Sequence, residues 1–412
     1  MNLKVVLSNF LFITVLFPYI SVINTPFDTQ PTSLLVAMFI FFVILFERND
    51  KIPITFVPLL FLFVMSIIAM LIYPNDMISG LRSVVGYSTL FFVTLASYKT
   101  FKLINPRILI YSEWIWFIVA FIQTFISKNF GSFLLSNLRT SAARGVTSLA
   151  VEPSYYAIIM VFFLILNEFF YAKNLFNNKE YKQVFVLSCI QILLSFSGMG
   201  ILFLAVFGLF KTISVVLTKN VVKKISSLII FFSLLGTAFV AFTSIPKLAQ
   251  SRAGGILVKF IQSPTDLIMS DKSIALRLSH ITISTLSIFQ NFGLGHGVGQ
   301  FETKAISVME NLPTPIWKMI VEQEVYPGGR IMSGWGSSIF ELGIIGLIPL
   351  FLFIYVMRLA MKKSNKSVYI TAFGVIFILM WMSVPYSFPL FSYFMGITLF
   401  DIYDENKLGS SH

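Results

Sequence analysis

The hydrophobic residues of this chain occur in long runs separated by short polar stretches. Many runs approach the roughly 20 residues that a helix needs to cross ~30 Å of hydrocarbon. Stretches such as 61–70 lack the alternation of apolar and polar positions that a membrane β-barrel requires. The pattern predicts an all-α fold, a polytopic transmembrane bundle of about 12 helices. The predicted helices are 4–23, 33–46, 52–73, 81–97, 107–127, 153–172, 184–196, 198–211, 226–245, 334–360, 368–384 and 387–402.

Composition agrees with a membrane protein. Hydrophobic residues make up 57% of the chain and charged residues 12%, against roughly 25% charged in soluble domains. A net charge of +12 would suggest a nucleic-acid partner for a soluble protein. Here the basic residues concentrate in short loops, as expected on the cytoplasmic side of a membrane. We therefore predict a multi-pass protein with both termini in the cytoplasm and no nucleic-acid partner.

The run 184–210 is long enough for one tilted helix, but lysines flank it on both sides. A single crossing would place one lysine cluster outside, against the positive-inside tendency. Two short helices joined at about 195–200 keep both clusters inside, and Gly198 and Gly200 suit a tight turn.

Two predicted external loops interrupt an otherwise single membrane domain, 1–412. The first covers about 128–152 and the second about 246–333. Loops of this length inside a compact fold commonly carry function. We expect amphipathic helices within the second loop.

The first loop contains Arg139, Arg144 and Glu152, the last of these directly before a predicted helix. A helix N-terminus stabilises a carboxylate and also attracts anionic ligands. Glu152 is therefore either a helix-start carboxylate offset by Arg144 or part of a binding site.

The second loop opens with Arg252 and contains a predicted amphipathic helix over 273–289. Helical spacing places Arg277, His280 and Ser284 on one face. An imidazole titrates near neutral pH, so His280 is a candidate for proton transfer. The alternative is a polar face that is merely solvated in the external space.

Four glycines at alternate positions follow, at Gly293, Gly295, Gly297 and Gly299. They permit close backbone approach, although a flexible turn would have the same composition. A dinucleotide-binding loop is excluded because it would require a βαβ unit.

Other motifs exclude several kinds of site. No P-loop, H-x-x-x-H pair or cysteine cluster occurs, so we predict neither a metal nor a cofactor. Two carboxylates, Glu113 and Glu168, fall within predicted helices. Such residues are functional candidates, yet both lie near the cytoplasmic end, so we expect snorkelling or local pairing.

Taken in order, these motifs resemble the O-antigen polymerase and ligase superfamily, over roughly residues 130–400. The resemblance lies in Arg139…Arg144-Gly with Glu152-Pro-Ser, Ser-x-Ser-Gly at 195–198, Arg277 followed by Gly293-x-Gly295-x-Gly297-x-Gly299-x-Phe301, and Glu341-x-Gly343-x-x-Gly346-Leu.

The resemblance implies a metal-independent glycosyltransferase in the bacterial inner membrane. Such an enzyme polymerises undecaprenyl-diphosphate-linked oligosaccharides into O-antigen, capsule or exopolysaccharide on the external face, with the bilayer and a chain-length-regulating co-polymerase as partners. It gives Arg139, Arg144, Arg252 and, more weakly, Arg82 the role of holding the diphosphate. Guanidinium groups suit that role because they pair bidentately with phosphate oxygens. Arg277, Glu152 and His280 become the catalytic candidates, with Glu152 or His280 as the base.

Two departures bear on the alternatives. Ligases of the superfamily carry a His-Asn pair before the Glu-x-Gly helix, but 329–335 contains no histidine. The arginine usual after the hairpin serine is replaced by Gly198. The missing histidine favours a polymerase. A ligase acting on a lipid acceptor and a flippase of lipid-linked sugars remain the alternatives.

Overall fold

The computed structural model describes residues 2–21, 27, 29–45, 52–72, 77–136, 138–139, 145–218, 272–310, 330–362 and 365–408, with isolated positions between 222 and 263. Apart from one isolated bridge between Ile20 and Leu135, the regular elements in these ranges are helical. This confirms the all-α prediction for the described residues.

The chain forms two compact units, described here separately. Unit 1 comprises 1–32, 100–262 and 359–375, and unit 2 comprises 33–99, 263–358 and 376–412. The single membrane domain predicted from the sequence stays a prediction.

In chain order, the helices are α1 (Leu3–Leu16), α2 (Thr32–Leu45), α3 (Val57–Ile72), α4 (Met77–Thr100), α5 (Arg107–Phe125), α6 (Pro153–Ala172), α7 (Asn178–Leu194), α8 (Gly198–Thr218), α9 (Lys272–Gln290), α10 (Phe301–Glu310), α11 (Gly334–Leu342), α12 (Ile348–Ala360), α13 (Lys366–Met382) and α14 (Pro389–Leu408). Short 3₁₀ turns occupy Ile54–Phe56, Phe101–Leu103, Ser132–Leu134 and Gly343–Leu347.

Six helical stretches among the described residues are long and apolar enough to cross a membrane. They are Ile54–Ile72, Met77–Leu103, Arg107–Phe125, Pro153–Ala172, Gly198–Thr218 and Gly334–Ala360. Three shorter apolar helices are Leu3–Leu16, Thr32–Leu45 and Lys366–Met382. These helices indicate a membrane protein, whereas a bundle of 12 spans stays a prediction. The predicted helix 226–245 lies largely outside the described residues.

Unit 1 is built around α6, whose side chains are buried on nearly every face. A helix that is hydrophobic all round belongs in an interior, and α7 and α8 pack against it. Its start is fixed by Pro153 in the first turn, a position where the missing N–H costs no hydrogen bond. The predicted separation into two helices is confirmed, because α7 and α8 are joined by 195–197. The predicted turn at Gly198 and Gly200 is wrong, since both glycines lie in the first turn of α8.

In unit 2, the predicted helix 334–360 is present with the same bounds, but a 3₁₀ segment, Gly343–Leu347, interrupts it. The chain leaves the α-helix after Leu342, because Gly343 adopts a positive φ of 63°, and resumes it at Ile348. Ser338 holds the break together by donating a hydrogen bond to the carbonyl of Gly346 at 2.7 Å. A Cβ on Gly346 would lie 1.8 Å from the Ser338 carbonyl oxygen, so only glycine fits there.

Because α4 and α14 approach each other closely within unit 2, adding one methyl group at their contact should lower the stability of the protein. A Cβ on Gly396 would lie 1.9 Å from Ser97 Oγ and 2.4 Å from the Thr94 carbonyl. We expect Gly396→Ala to lower the free energy of unfolding by about 1–3 kcal/mol through overpacking, measured by thermal unfolding in detergent. Gly236→Ala is the control, since no described atom lies within 4 Å of its Cβ. Equal stability of the two variants would contradict the packing account.

Candidate functional site

The glycine segment, residues 293–299, fills the break in the helix pair α11–α12. The N–H of His296 donates to the Phe340 carbonyl at 2.9 Å, and the N–H of Gly297 donates to the Glu341 carbonyl at 3.1 Å. In return, the N–H of Ile344 donates to the Gly293 carbonyl at 2.9 Å. Backbone groups freed by the break thus find partners within the protein, as an apolar environment requires.

Two of the glycines allow this pairing by their size and conformation. A Cβ on Gly295 would lie 2.0 Å from the Glu341 carbonyl oxygen. Gly299 has φ 77°, and its Cβ would lie 2.4 Å from the backbone nitrogen of Gly80 on α4. The segment therefore packs closely against α11 at Gly295 and against α4 at Gly299, as predicted for glycines that permit close backbone approach.

The carboxylate of Glu341 connects three parts of unit 2. It is 6% exposed and accepts hydrogen bonds from Ser83 Oγ at 2.5 Å, Tyr87 Oη at 2.8 Å and the Gly299 N–H at 3.2 Å. Ser83 and Tyr87 lie one turn apart on α4. Glu341 therefore ties α4 and α11 to the glycine segment.

The predicted helix 273–289 is confirmed as α9, and its polar face is buried. Arg277 is 7% exposed, His280 1% and Ser284 0%. This face does not lie in solvent, because α9 packs against α11. The alternative of a merely solvated polar face is therefore wrong.

The guanidinium of Arg277 is held by two serines. Its Nε donates to Ser383 Oγ at 2.9 Å, and one Nη donates to the Ser273 carbonyl at 3.0 Å and to the Ser273 hydroxyl. These hydrogen bonds fix the orientation of the guanidinium. Arg277 is thus a buried and oriented cation.

The contacts of His280 indicate a role in packing and hydrogen bonding within unit 2, not in proton transfer. Its Nδ1 accepts a hydrogen bond from the Met332 N–H at 3.2 Å, and its ring meets Phe301 edge-on at 5.3 Å. A neutral imidazole that accepts at Nδ1 carries its proton on Nε2 and has no free lone pair. This arrangement disfavours His280 as a general base.

In unit 1, Arg139 and Glu152 meet at the start of α6. Arg139 Nε lies 3.5 Å from Glu152 Oε1, and the Arg139 N–H donates to the Val151 carbonyl at 2.8 Å. Ser154 Oγ also donates to Glu152, at 3.3 Å. The sequence predicts that Arg144 balances the charge of Glu152, but in the structure Arg139 forms this ion pair.

Gln123 on α5 fixes the chain leading to Glu152. Its amide oxygen accepts from the N–H groups of Thr147 and Ser148, at 3.1 and 2.7 Å. Its amide nitrogen donates to the carbonyls of Phe130 and Ser148, at 2.7 and 2.9 Å. The end of the first loop is thereby anchored to a candidate membrane span.

The remaining predicted arginines are less informative. Arg82 is half-buried on α4, directly before Ser83. Arg144 and Arg252 lie outside the described residues. In the described part of the chain, no group of three His, Cys, Asp or Glu side chains is arranged to hold a metal ion.

Comparison with known proteins gives no family: neither a protein-family model nor a curated protein matches this chain.

Sequence reasoning missed the roles of Ser83, Tyr87 and the Glu341 carboxylate. In the sequence, Glu341 stands out only as part of the Glu-x-Gly motif. Its hydrogen-bond partners Ser83 and Tyr87 lie more than 250 positions earlier in the chain. The available signal was a single carboxylate inside an apolar run, which must find donors when buried.

Removing the Glu341 carboxylate tests its role as the connection. Glu341→Ala leaves the hydroxyls of Ser83 and Tyr87 and the Gly299 N–H without this acceptor, and each unsatisfied buried donor costs about 1–3 kcal/mol. We expect a clear fall in thermal stability in detergent, whereas Glu302→Ala, on the exposed first turn of α10, should leave it unchanged. A wild-type melting temperature for Glu341→Ala would refute the role.

His296 predicts a loss of stability in acid. Burial, and then the charge of Lys304, lower the pKa of His296 below 6.5. The unfolded chain therefore binds this proton first, so stability falls as the pH drops below about 6.5. His296→Phe keeps the ring that stacks on Phe340 at 4.8 Å but cannot titrate. Melting temperatures at a series of pH values should fall more steeply for the wild type, and parallel curves would contradict the prediction.

Proposed function

We propose that this chain is a membrane glycosyltransferase that polymerises undecaprenyl-diphosphate-linked oligosaccharide repeats into O-antigen, capsule or exopolysaccharide. In this proposal it crosses the bacterial inner membrane with about 12 helices, has both termini in the cytoplasm and works on the external face. The sequence resemblance suggests this activity, and the six long apolar helices support the membrane location that a lipid-borne substrate requires.

One observation carries the proposal: Arg277 is a permanent cation, buried and oriented by serines, on a helix of a membrane protein. Burying a charge is expensive, so such residues usually serve a function. A guanidinium fits a diphosphate because its N–H groups form paired bonds with phosphate oxygens and its charge is independent of pH.

The proposed reaction gives that charge a task. The acceptor sugar's hydroxyl attacks the anomeric carbon of the donor, the bond to the diphosphate oxygen breaks, and a base takes the hydroxyl proton. Negative charge builds on the departing lipid diphosphate, and a fixed guanidinium stabilises it. Arg277 is assigned this stabilising role.

In unit 1, the pair of Arg139 and Glu152 supports the predicted roles of these two residues. Arg139 supplies a guanidinium for anion binding, and Glu152 supplies a carboxylate that can accept a proton. Glu152 is preferred over His280 as the base, because the Met332 N–H occupies the His280 lone pair. Arg82, Arg144 and Arg252 stay predicted diphosphate ligands.

Polymer length in cells tests the role of Arg277. Arg277→Ala should reduce long-chain polymer by roughly 100-fold or more, while single repeats accumulate on the lipid carrier. Arg277→Lys keeps the charge but loses the paired geometry, so intermediate activity is expected. The readout is the chain-length distribution on gels at equal protein level.

The matched control is Arg107→Ala, because Arg107 is exposed and pairs with Glu180 at 3.3 Å. It should leave chain length unchanged. Normal chain length in Arg277→Ala would contradict the proposal. Transfer of repeats only to a lipid acceptor would identify a ligase, and movement of lipid-linked sugar without extension would identify a flippase.

A further inference from the structure

A carboxyl group with no role in the proposed reaction lies inside a candidate membrane span. Glu113 is on α5, within Arg107–Phe125, and its side chain is 0% exposed. The position of Glu113 in the sequence predicts snorkelling to the interface or local pairing. Complete burial excludes snorkelling.

The hydrogen bonds of Glu113 reach only one of its two oxygens. Ser188 Oγ donates to Oε1 at 2.8 Å, and Gln191 Nε2 donates to the same oxygen at 2.7 Å. Both donors lie on α7 and are 0% exposed. Oε2 is buried and has no hydrogen-bond partner among the described residues. A protonated carboxyl fits this asymmetry, because its carbonyl oxygen, Oε1, accepts both hydrogen bonds and its hydroxyl is Oε2.

A hydrogen bond from α6 fixes the orientation of the Gln191 side chain on α7. Tyr156 on α6 donates to Gln191 Oε1 at 2.8 Å, which leaves the amide nitrogen of Gln191 turned towards Glu113. An N–H donor at this position repels a metal cation, which prefers oxygen ligands.

Among the residues that the structure describes, no cation forms an ion pair with Glu113. Tyr156 faces it from α6 and Cys189 from α7, and both would repel an ionised carboxylate if they were themselves ionised. α1 also packs on α5, but its lysine, Lys4, is in its first turn, whereas Leu16 in the last turn contacts Trp116. On α5 itself, Arg107 pairs with Glu180.

Glu168, the second carboxylate predicted within a helix, is the opposite case. Its Oε2 forms an ion pair with Lys211 Nζ, and its Oε1 accepts from Tyr181 Oη at 2.8 Å. Local pairing was the expectation for both residues, and it is confirmed for Glu168 alone. An unpaired carboxylate at full burial would be far more costly than a neutral carboxyl.

We propose that Glu113, Ser188 and Gln191 form a proton-binding site in unit 1, with the proton on Oε2 in the folded protein. Water must reach Oε2 before the proton can leave, so release of the proton requires α5 and α7 to separate there. The site is independent of the proposed polymerase activity. It ties the state of the α5–α7 contact to pH.

Infrared difference spectroscopy of the purified full chain tests the site directly. The wild type minus Glu113→Gln spectrum should contain the carbonyl band of a protonated carboxyl at neutral pH. Glu168→Gln is the matched control and should remove no such band, because Glu168 forms an ion pair with Lys211. Absence of the band in the Glu113 difference spectrum would overturn the proposal.

A second variant keeps the test decisive if Glu113→Gln does not fold. Ser188→Ala leaves the carboxyl in place but removes one donor to Oε1, so the same band should shift to higher frequency. No shift would overturn the assignment. Loss of the wild-type band on adding Na⁺ would also overturn it, since the site would then bind a metal cation.

Discussion

A break in an apolar helix leaves backbone N–H and C=O groups that cannot form hydrogen bonds with hydrocarbon. Unit 2 is organised around one such break, at Gly343. The glycine segment supplies the missing partners through its own backbone. Because the backbone of the glycine segment contacts the backbone of 341–343, there is no room for a side chain at Gly295 or Gly343. The Glu341 carboxylate then ties this junction to α4. The break is thus a built feature, and it fixes where α9 and Arg277 can lie within the unit.

Unit 1 meets the same constraint with side chains. Gln123 uses both ends of its amide to hold the first loop. Glu168 is neutralised by Lys211, and Glu113 receives two donors on one oxygen. Polar residues buried among apolar helices are expensive unless satisfied, so each of them restricts how the surrounding helices pack. Both units therefore contain buried polar groups whose hydrogen bonds constrain how the helices pack.

How far the sequence predicted the structure depended on the range of the interactions. Hydropathy placed the helix 153–172 at the observed α6, and lysine clusters predicted the separation of α7 and α8, because both signals are local. The run 334–360 has the hydropathy of one continuous helix, so its break at Gly343 was not predicted. The partners that satisfy this break lie some 45 positions earlier. Periodicity carries no information about contacts of that separation.

The candidate site divides in the same way. Helical spacing correctly placed Arg277 and His280 on one face of α9, but it could not reveal that the face is buried or that Met332 occupies the His280 ring nitrogen. Arg139 and Glu152 were predicted as neighbours in one loop, yet their direct pairing depends on how the loop folds back on α6. Residue type and spacing therefore predicted which side chains share a helix face or a loop, and tertiary contacts decided their burial and their hydrogen-bond partners.

The central claim is that this chain extends a lipid-diphosphate-linked sugar by itself. The most direct measurement uses the purified protein in liposomes with one defined undecaprenyl-diphosphate-linked repeat and a metal chelator, followed by sizing of the products. The account predicts a ladder of polymers several repeats long, still attached to the lipid carrier. Recovery of the repeat at its original size, with the protein folded and the substrate accessible, would contradict it.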